Sequence, residues 1–295
     1  MRRISIVALL VILSVIFTSD YNAESQVVEQ KPNGKIDWTQ GAVQAAGIGV
    51  PPEKDFSRHV AQAKALASAK VVAQHNLLEI VKTIRIDSEN KVKDILRQDA
   101  AITENIESIV RNGRLVKQEY LSDGTAKVTI RINLHGGFAQ LILPLDIRQI
   151  EPIKPVGPTE PVQNAPSSLP ADHSARVSRP SSPVFTGLVV DAGGLAINPA
   201  MTIKILDENG RDVYGPAYVS REFAVGRGMV KYVNDITTAQ SDPRVMDNPL
   251  TVKGLETRGA GCSDIIISNA DASKIRSSSE HLLFLKKCRV IVVIN

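Results

Sequence analysis

Half of the prolines in this chain fall in one stretch. Eight of the sixteen lie between Pro152 and Pro183, in EPIKPVGPTEPVQNAPSSLPADHSARVSRPSSP. Each proline removes a backbone donor and fixes φ, so the run sustains neither helix nor sheet and reads as an extended, semi-rigid spacer. The chain must fold on either side of it. The expected division is an amino-terminal segment over 1–23, a first domain over 34–146, the spacer over 147–183 and a second domain over 184–295. With 43% hydrophobic content in 295 residues, there is apolar material for two modest cores.

The amino terminus points to export. Met-Arg-Arg is followed by an apolar or small stretch from Ile4 to Phe17, interrupted only by Ser5 and Ser14. That length suits a signal-peptide core and is short of the roughly 20 residues that span a bilayer. Ala23 fits the end of a cleaved segment, while Tyr21 is bulky for the site two residues earlier, so an uncleaved anchor is the alternative. The expected location is the periplasm or the periplasmic face of the outer membrane, with membrane contact only through that anchor. Aromatics make up only 4% and the basic residues are scattered, so no nucleic-acid surface is expected.

In the first domain, KIDWTQGAVQAAGIG alternates with a rough period of two and reads as a strand stopped by Pro51 and Pro52. Phe56, Val60, Ala63, Leu66, Ala67, Val71, Leu77, Leu78 and Val81 then recur at three- and four-residue steps, a helix over about 55–82 with Asp55 as its cap. The segment TIRIDS is extended, and a second helix is expected near Asp99 to Arg111. RLVKQEYL, a Ser-Asp-Gly turn and TAKVTIRINL form a hairpin. The glycines of Gly47-Ile48-Gly49 are not read as a phosphate loop: Pro51 and Pro52 remove the donors such a loop needs, and no Gly-Lys-Ser/Thr follows.

The second domain begins near Phe185. TGLVVDA is a strand, and MTIKILDENGRDVYG is a hairpin turning at Asn209-Gly210. Ser220 is placed to cap a helix running through Phe223, Val225, Met229, Val233 and Ile236, weakened by Gly226 and Gly228. PLTVKGL and DIIIS are strands, a helix follows from Asn269 or Asp271 through Leu285, and CRVIVVIN is a buried final strand. The fold class is α+β: two small two-layer α/β-sandwich-like domains joined by a proline-rich linker, after an amino-terminal signal peptide.

No catalytic, cofactor-binding or metal-binding residues are assigned, and no cofactor is expected. Asp191, before Gly193-Gly194, stands at a strand end without a partner acid or base. RGAGCSD places Cys262 beside glycines but lacks the Gly-x-Ser/Cys-x-Gly spacing of a nucleophile elbow. His59, His75, His135, His173 and His281 are far apart. Two readings stand for Cys262 and Cys288. In an oxidising compartment they form a disulfide, contributing roughly 3–4 kcal/mol in the chain-entropy account. Otherwise Cys288 is a buried apolar residue and Cys262 is free.

Gly34, Ile36-Asp37-Trp38, Gly41, Gly47 and Gly49-Val50-Pro51-Pro52 form a spaced signature, together with Asn76-Leu77-Leu78-Glu79, IRIDS and Asp123-Gly124-Thr125. It resembles the family of LPP-type outer-membrane lipoproteins and the amino-terminal domain of the flagellar assembly protein FlgT, over residues 34–146. The resemblance implies an exported, non-enzymatic envelope protein with a structural or assembly role. Its partners would be other envelope or flagellar proteins, or a second copy of itself. The chain departs from the family by lacking a lipidation cysteine near its amino terminus. The alternative is a periplasmic ligand- or glycan-binding module with its site in the second domain.

Overall fold

The computed structural model describes residues 26–52, 57–145, 147 and 184–294. The signal segment, the proline-rich spacer, Asp55 and His173 lie outside them. Among the described residues, no helix is long and apolar enough to cross a membrane. The fold is α+β, with two separate sheets.

Domain 1 is a five-stranded sheet in the order β1-β2-β3-β5-β4, every neighbouring pair antiparallel. Its strands are β1 (Val28–Lys31), β2 (Gly34–Asp37), β3 (Ala42–Gly49), β4 (Arg114–Tyr120) and β5 (Ala126–Asn133). The expected single strand over 35–49 is thus a hairpin. Asp37 accepts the Gln40 backbone N–H at 2.8 Å, and Gly41 takes φ 60°, a left-handed turn that glycine adopts freely. Helix α1 (Arg58–Lys82) crosses the sheet, with α2 (Val92–Leu96) and α3 (Ala100–Arg111) beside it.

The α1–β3 contact answers what Gly47 and Gly49 are for. The helix buries Ala65, Ala69, Ala73 and Leu77, one small residue per turn for three turns and then a leucine. A Cβ on Gly47 would overlap the backbone of Ala69 and Ala73, and one on Gly49 that of Ala65. Helix and strand therefore meet backbone to backbone, closer than any side chain on those glycines would permit.

Domain 2 is a seven-stranded mixed sheet in the order β8-β7-β11-β10-β6-β12-β9. Parallel neighbours β10 (Pro249–Arg258), β6 (Gly187–Asp191), β12 (Val290–Val293) and β9 (Lys231–Val233) form one part. The other part is β11 (Asp264–Ile267), β7 (Ile205–Asp207) and β8 (Asp212–Tyr214). Strands β6, β7, β11 and β12 are buried on both faces, as strands of parallel sheets are, while β10 exposes Thr251, Lys253 and Leu255 on one side. Leu188, Val190, Val290 and Val292 point into the main core; Val189, Ile291 and Val293 point into a second, smaller one.

Two expected helices are divided. The run from Ser220 to Ile236 yields α5 (Arg221–Arg227), strand β9 and α6 (Ile236–Ser241), because Gly228 leaves the helix at φ 77° and Asp235 caps a fresh one through the Thr238 N–H. The last helical region becomes α7 (Asn269–Arg276) and α8 (Ser279–Lys286), since Ser268 and Ser278 each cap their own turn. A short helix α4 (Gly137–Ile142) ends domain 1.

The two sheets share one continuous apolar cluster, from Ile36 and Val128 in the first to Val190 and Ile265 in the second. Whatever course the spacer takes, the domains it connects are packed together.

Candidate functional site

A set of backbone and side-chain hydrogen bonds joins the two domains. Segment 85–88 of domain 1, part of the extended IRIDS piece, lies along 200–202 of domain 2. The Arg85 carbonyl accepts from the Met201 N–H at 3.0 Å, and the Ile86 carbonyl accepts from Thr202 N–H and its hydroxyl, each at 2.7 Å. The Gly261 N–H donates to the Ser88 carbonyl at 2.6 Å, and the Ser88 hydroxyl donates to the Asp264 carboxylate at 2.8 Å. The other Asp264 oxygen accepts the Lys204 backbone N–H at 2.8 Å.

This arrangement accounts for RGAGCSD. A Cβ on Gly259 would strike the Ser88 side chain and one on Gly261 the Ser88 backbone, so the glycines form a seat for Ser88 rather than a nucleophile elbow. Burial pushes the Asp264 carboxyl above its ordinary range, partly offset by the Lys204 N–H and the Ser88 hydroxyl. A carboxylate is a weak base for a serine hydroxyl, and no imidazole or amine is hydrogen-bonded to Ser88 among the described residues. The pair is built to tie two loops together.

Trp38 forms the second anchor. It is 5% exposed, and its ring meets that of Tyr232 edge-on across the interface, with centroids 6.0 Å apart and planes at 75°. The Tyr232 hydroxyl is satisfied by both the N–H and the carbonyl of Ala200, and the Thr39 hydroxyl donates to the Tyr232 carbonyl at 2.7 Å. On the domain 1 side, Trp38 Nε1 donates to Glu29 at 3.2 Å, and Glu29 also takes Lys31 at 2.6 Å. A third tie is Arg221, whose guanidinium donates to the Gln140 and Pro144 carbonyls, each at 2.9 Å.

Beside these ties opens a cleft of about 600 Å³, within the range of small-molecule sites. Ile203 and Leu206 lie at its wall, Asp87 and Glu89 come from domain 1, and Lys204 and Arg258 from domain 2. Neither Lys204 nor Arg258 makes a close ion pair among the described residues. Under Trp38 and Tyr232 there is also a pocket of about 30 Å³, room for a single water.

The other residues singled out in the sequence have local roles. Asp191 accepts the Gly193 N–H at 3.1 Å and shapes a turn. His59 and His75 are exposed on α1. His281 is buried, its Nε2 accepting the Phe185 N–H at 3.2 Å. Tyr214, like Tyr232, is a core residue. In the DENG hairpin, Asp207 is buried and takes Arg211 at 2.9 Å and Arg276 at 3.0 Å. Burial alone would raise its carboxyl; the Arg211 N–H and the two guanidinium groups outweigh that and hold it down to about 2.

Cys262 and Cys288 are both free thiols. β10 and β12 run parallel on either side of β6, so Cys262, after β10, and Cys288, before β12, lie towards opposite ends of the sheet. From Leu250 to Arg258, β10 covers about 25 Å, and a disulfide needs Cα atoms within about 7 Å. Burial pushes the Cys288 thiol up to about 11, the mark of a packed residue rather than a nucleophile.

Fold and interface define a two-domain α+β protein whose halves are fixed together by paired loops and a buried tryptophan. Residues 187–295, from the first residue of β6 onward, match the family model described as Treponema pallidum Tp0624, second domain. No curated protein matches the chain. The resemblance of residues 34–146 to the LPP-type and FlgT amino-terminal family is corrected by this result: the match lies in the other domain, and neither family is found. The features that suggested it have a packing explanation here, with Gly47 and Gly49 under α1 and Trp38 against Tyr232.

Sequence reasoning missed Ser88, Thr202 and Asp264 as a group, and the pairing of Trp38 with Tyr232. The one available signal was RGAGCSD, whose glycines announce a close approach without saying what approaches.

Proposed function

We propose that this is an exported, non-enzymatic component of the cell envelope that works through protein–protein contacts. The observation that carries the reading is β4. It is an edge strand, all seven of its residues are exposed, and among the described residues its outer side has no partner strand. Such an edge is a ready template for adding a strand from another chain. The basic start and apolar stretch of residues 1–17 support export. The Treponema pallidum match is to a domain designated as second, and here too the matching module follows another domain.

The test is fractionation of cells carrying a tagged chain with a photocrosslinking residue in place of Tyr120. An exported chain with discrete protein adducts at that position supports the proposal. A cytosolic chain, or an exported one without adducts, overturns it. A flagellar or other trans-envelope machine is one identity those adducts could reveal.

The cleft favours a second reading, a module that holds a periplasmic ligand such as a glycan. Lys204 and Arg258, free of close ion pairs, would meet that ligand. Glycan fragments that raise the melting temperature of the protein, but not of a Lys204→Ala, Arg258→Ala variant, would establish it. No shift in either would remove it.

A further inference from the structure

We propose that β4 is a homodimerisation strand: two copies of this chain pair β4 antiparallel to β4 about a two-fold axis at Gln118, joining their five-stranded sheets into one. The proposal rests on the protein-contact reading above and names the partner.

Among the described residues, no strand pairs with the outer edge of β4. Leu115 is 40% exposed, Val116 43%, Tyr120 45% and the following Leu121 55%, an apolar content unusual for a strand left in water. The usual protections of an edge are a bulge and a lysine, and both occur here. The bulge falls between Leu115 and Lys117, so from Lys117 to Tyr120 the ladder with β5 is regular and the outer edge is straight enough to accept a strand. The lysine, Lys117, is already neutralised by Glu119 two residues on, in an ion pair at 2.7 Å.

Symmetry then selects the register. In a two-fold antiparallel pair the axis passes between two directly opposed copies of the same residue, so each register is defined by the residue that faces itself. Centring on Lys117 sets lysine against lysine, and centring on Glu119 sets glutamate against glutamate; like charges directly opposed destabilise a pair. Centring on Gln118 sets Lys117 of each copy opposite Glu119 of the other. The same register brings Tyr120 of each copy beside the bulged end of the other strand, where Leu115 and Val116 are exposed. The ion pair within each strand is exchanged for two between strands, and the exposed apolar residues cover one another. The central glutamine amides can hydrogen-bond to each other.

The experiment is sedimentation equilibrium of the full chain across a range of concentrations, alongside Lys117→Glu, Glu119→Lys and the double exchange. Both side chains are exposed, and unchanged circular dichroism and melting temperature establish that the variants fold. The expected result is a concentration-dependent dimer. Each single variant weakens it about ten- to a hundredfold by opposing like charges, and the double exchange restores it. A chain that stays monomeric at all concentrations overturns the proposal, as does a dimer indifferent to the single changes or not rescued by the double one. If the monomer nevertheless crosslinks through Tyr120 to a different protein in cells, the homodimer fails while the protein-contact reading stands.

Discussion

The Ser88 hydroxyl donates to the Asp264 carboxylate at 2.8 Å, joining residues 176 positions apart, one from each domain. Around this contact Gly259 and Gly261 leave room for Ser88, and Lys204 supplies the second donor to Asp264. The contact is therefore a joint, and changes there act on how the domains hold together.

Replacing Asp264 by alanine leaves the Lys204 N–H and the Ser88 hydroxyl without their acceptor and should cost about 1–3 kcal/mol in urea unfolding. Asp264→Asn should cost much less. Its carbonyl can take the Lys204 N–H while its amide donates to Ser88, and no charge is left to bury. Because burial raises the Asp264 carboxyl, the wild type should gain stability relative to Asp264→Asn as the pH falls from above its folded pKa toward the ordinary carboxylate value. Equal losses for the two variants would contradict this account.

A pH-dependent loosening of the interface should arise from His135. Its ring lies between Gly41 of domain 1 and Gly228 of domain 2. Burial, and then the Arg244 charge, hold its pKa below the ordinary range; no carboxylate is among the groups acting on it. The separated form therefore binds the proton more tightly than the docked one. Docking should be undiminished above about pH 6.5 and weaken as the pH falls from there to the docked pKa. Trp38, the chain's only tryptophan, faces Tyr232 across the same interface and reports the change as a reversible red shift of its emission. In His135→Asn the shift should vanish.

Gly49→Ala should be among the most damaging single changes in domain 1. The added methyl would fall on the backbone of α1 at Ala65 and Ala69, which cannot rotate out of the way. Overpacking of this kind costs about 1–3 kcal/mol, and rigid backbone on both sides argues for the upper end. Thermal unfolding measures it. Gly137→Ala, at a position with nothing within 4 Å of the new atom, serves as the neutral comparison.

The two thiols should react differently. Cys262 is partly exposed in the turn between β10 and β11, while Cys288 is fully buried with its thiol pushed up to about 11. Iodoacetamide at neutral pH should label one thiol in the folded protein and two after denaturation without reductant. A count of zero in the denatured protein would mean that a disulfide forms and that the sheet order described here is wrong.

Short-range signals in the sequence were reliable where one interaction dominates. The β4–β5 hairpin followed from alternation about Asp123-Gly124, the β7–β8 hairpin from Asn209-Gly210, and α3 lies where a helix near Asp99 to Arg111 was expected. Breaks were harder to read where apolar spacing ran through them. The 220–236 pattern looked continuous because Met229, Val230 and Val233 are apolar, yet after Gly228 the chain runs into strand β9, where Val233 is buried.

By itself the sequence determined two α+β units, the proline-rich separation between them, and which strands alternate between core and water. Those are consequences of backbone geometry and local side-chain periodicity, available a few residues at a time. Only the tertiary structure decided that the units share a core, that Trp38 meets Tyr232, and that the glycines of RGAGCSD make room for Ser88. It also decided that Cys262 and Cys288 lie far apart and that β4 is left at an edge. Each depends on which distant segments are brought side by side, and that is set by the summed burial of many residues rather than by any pattern within one segment.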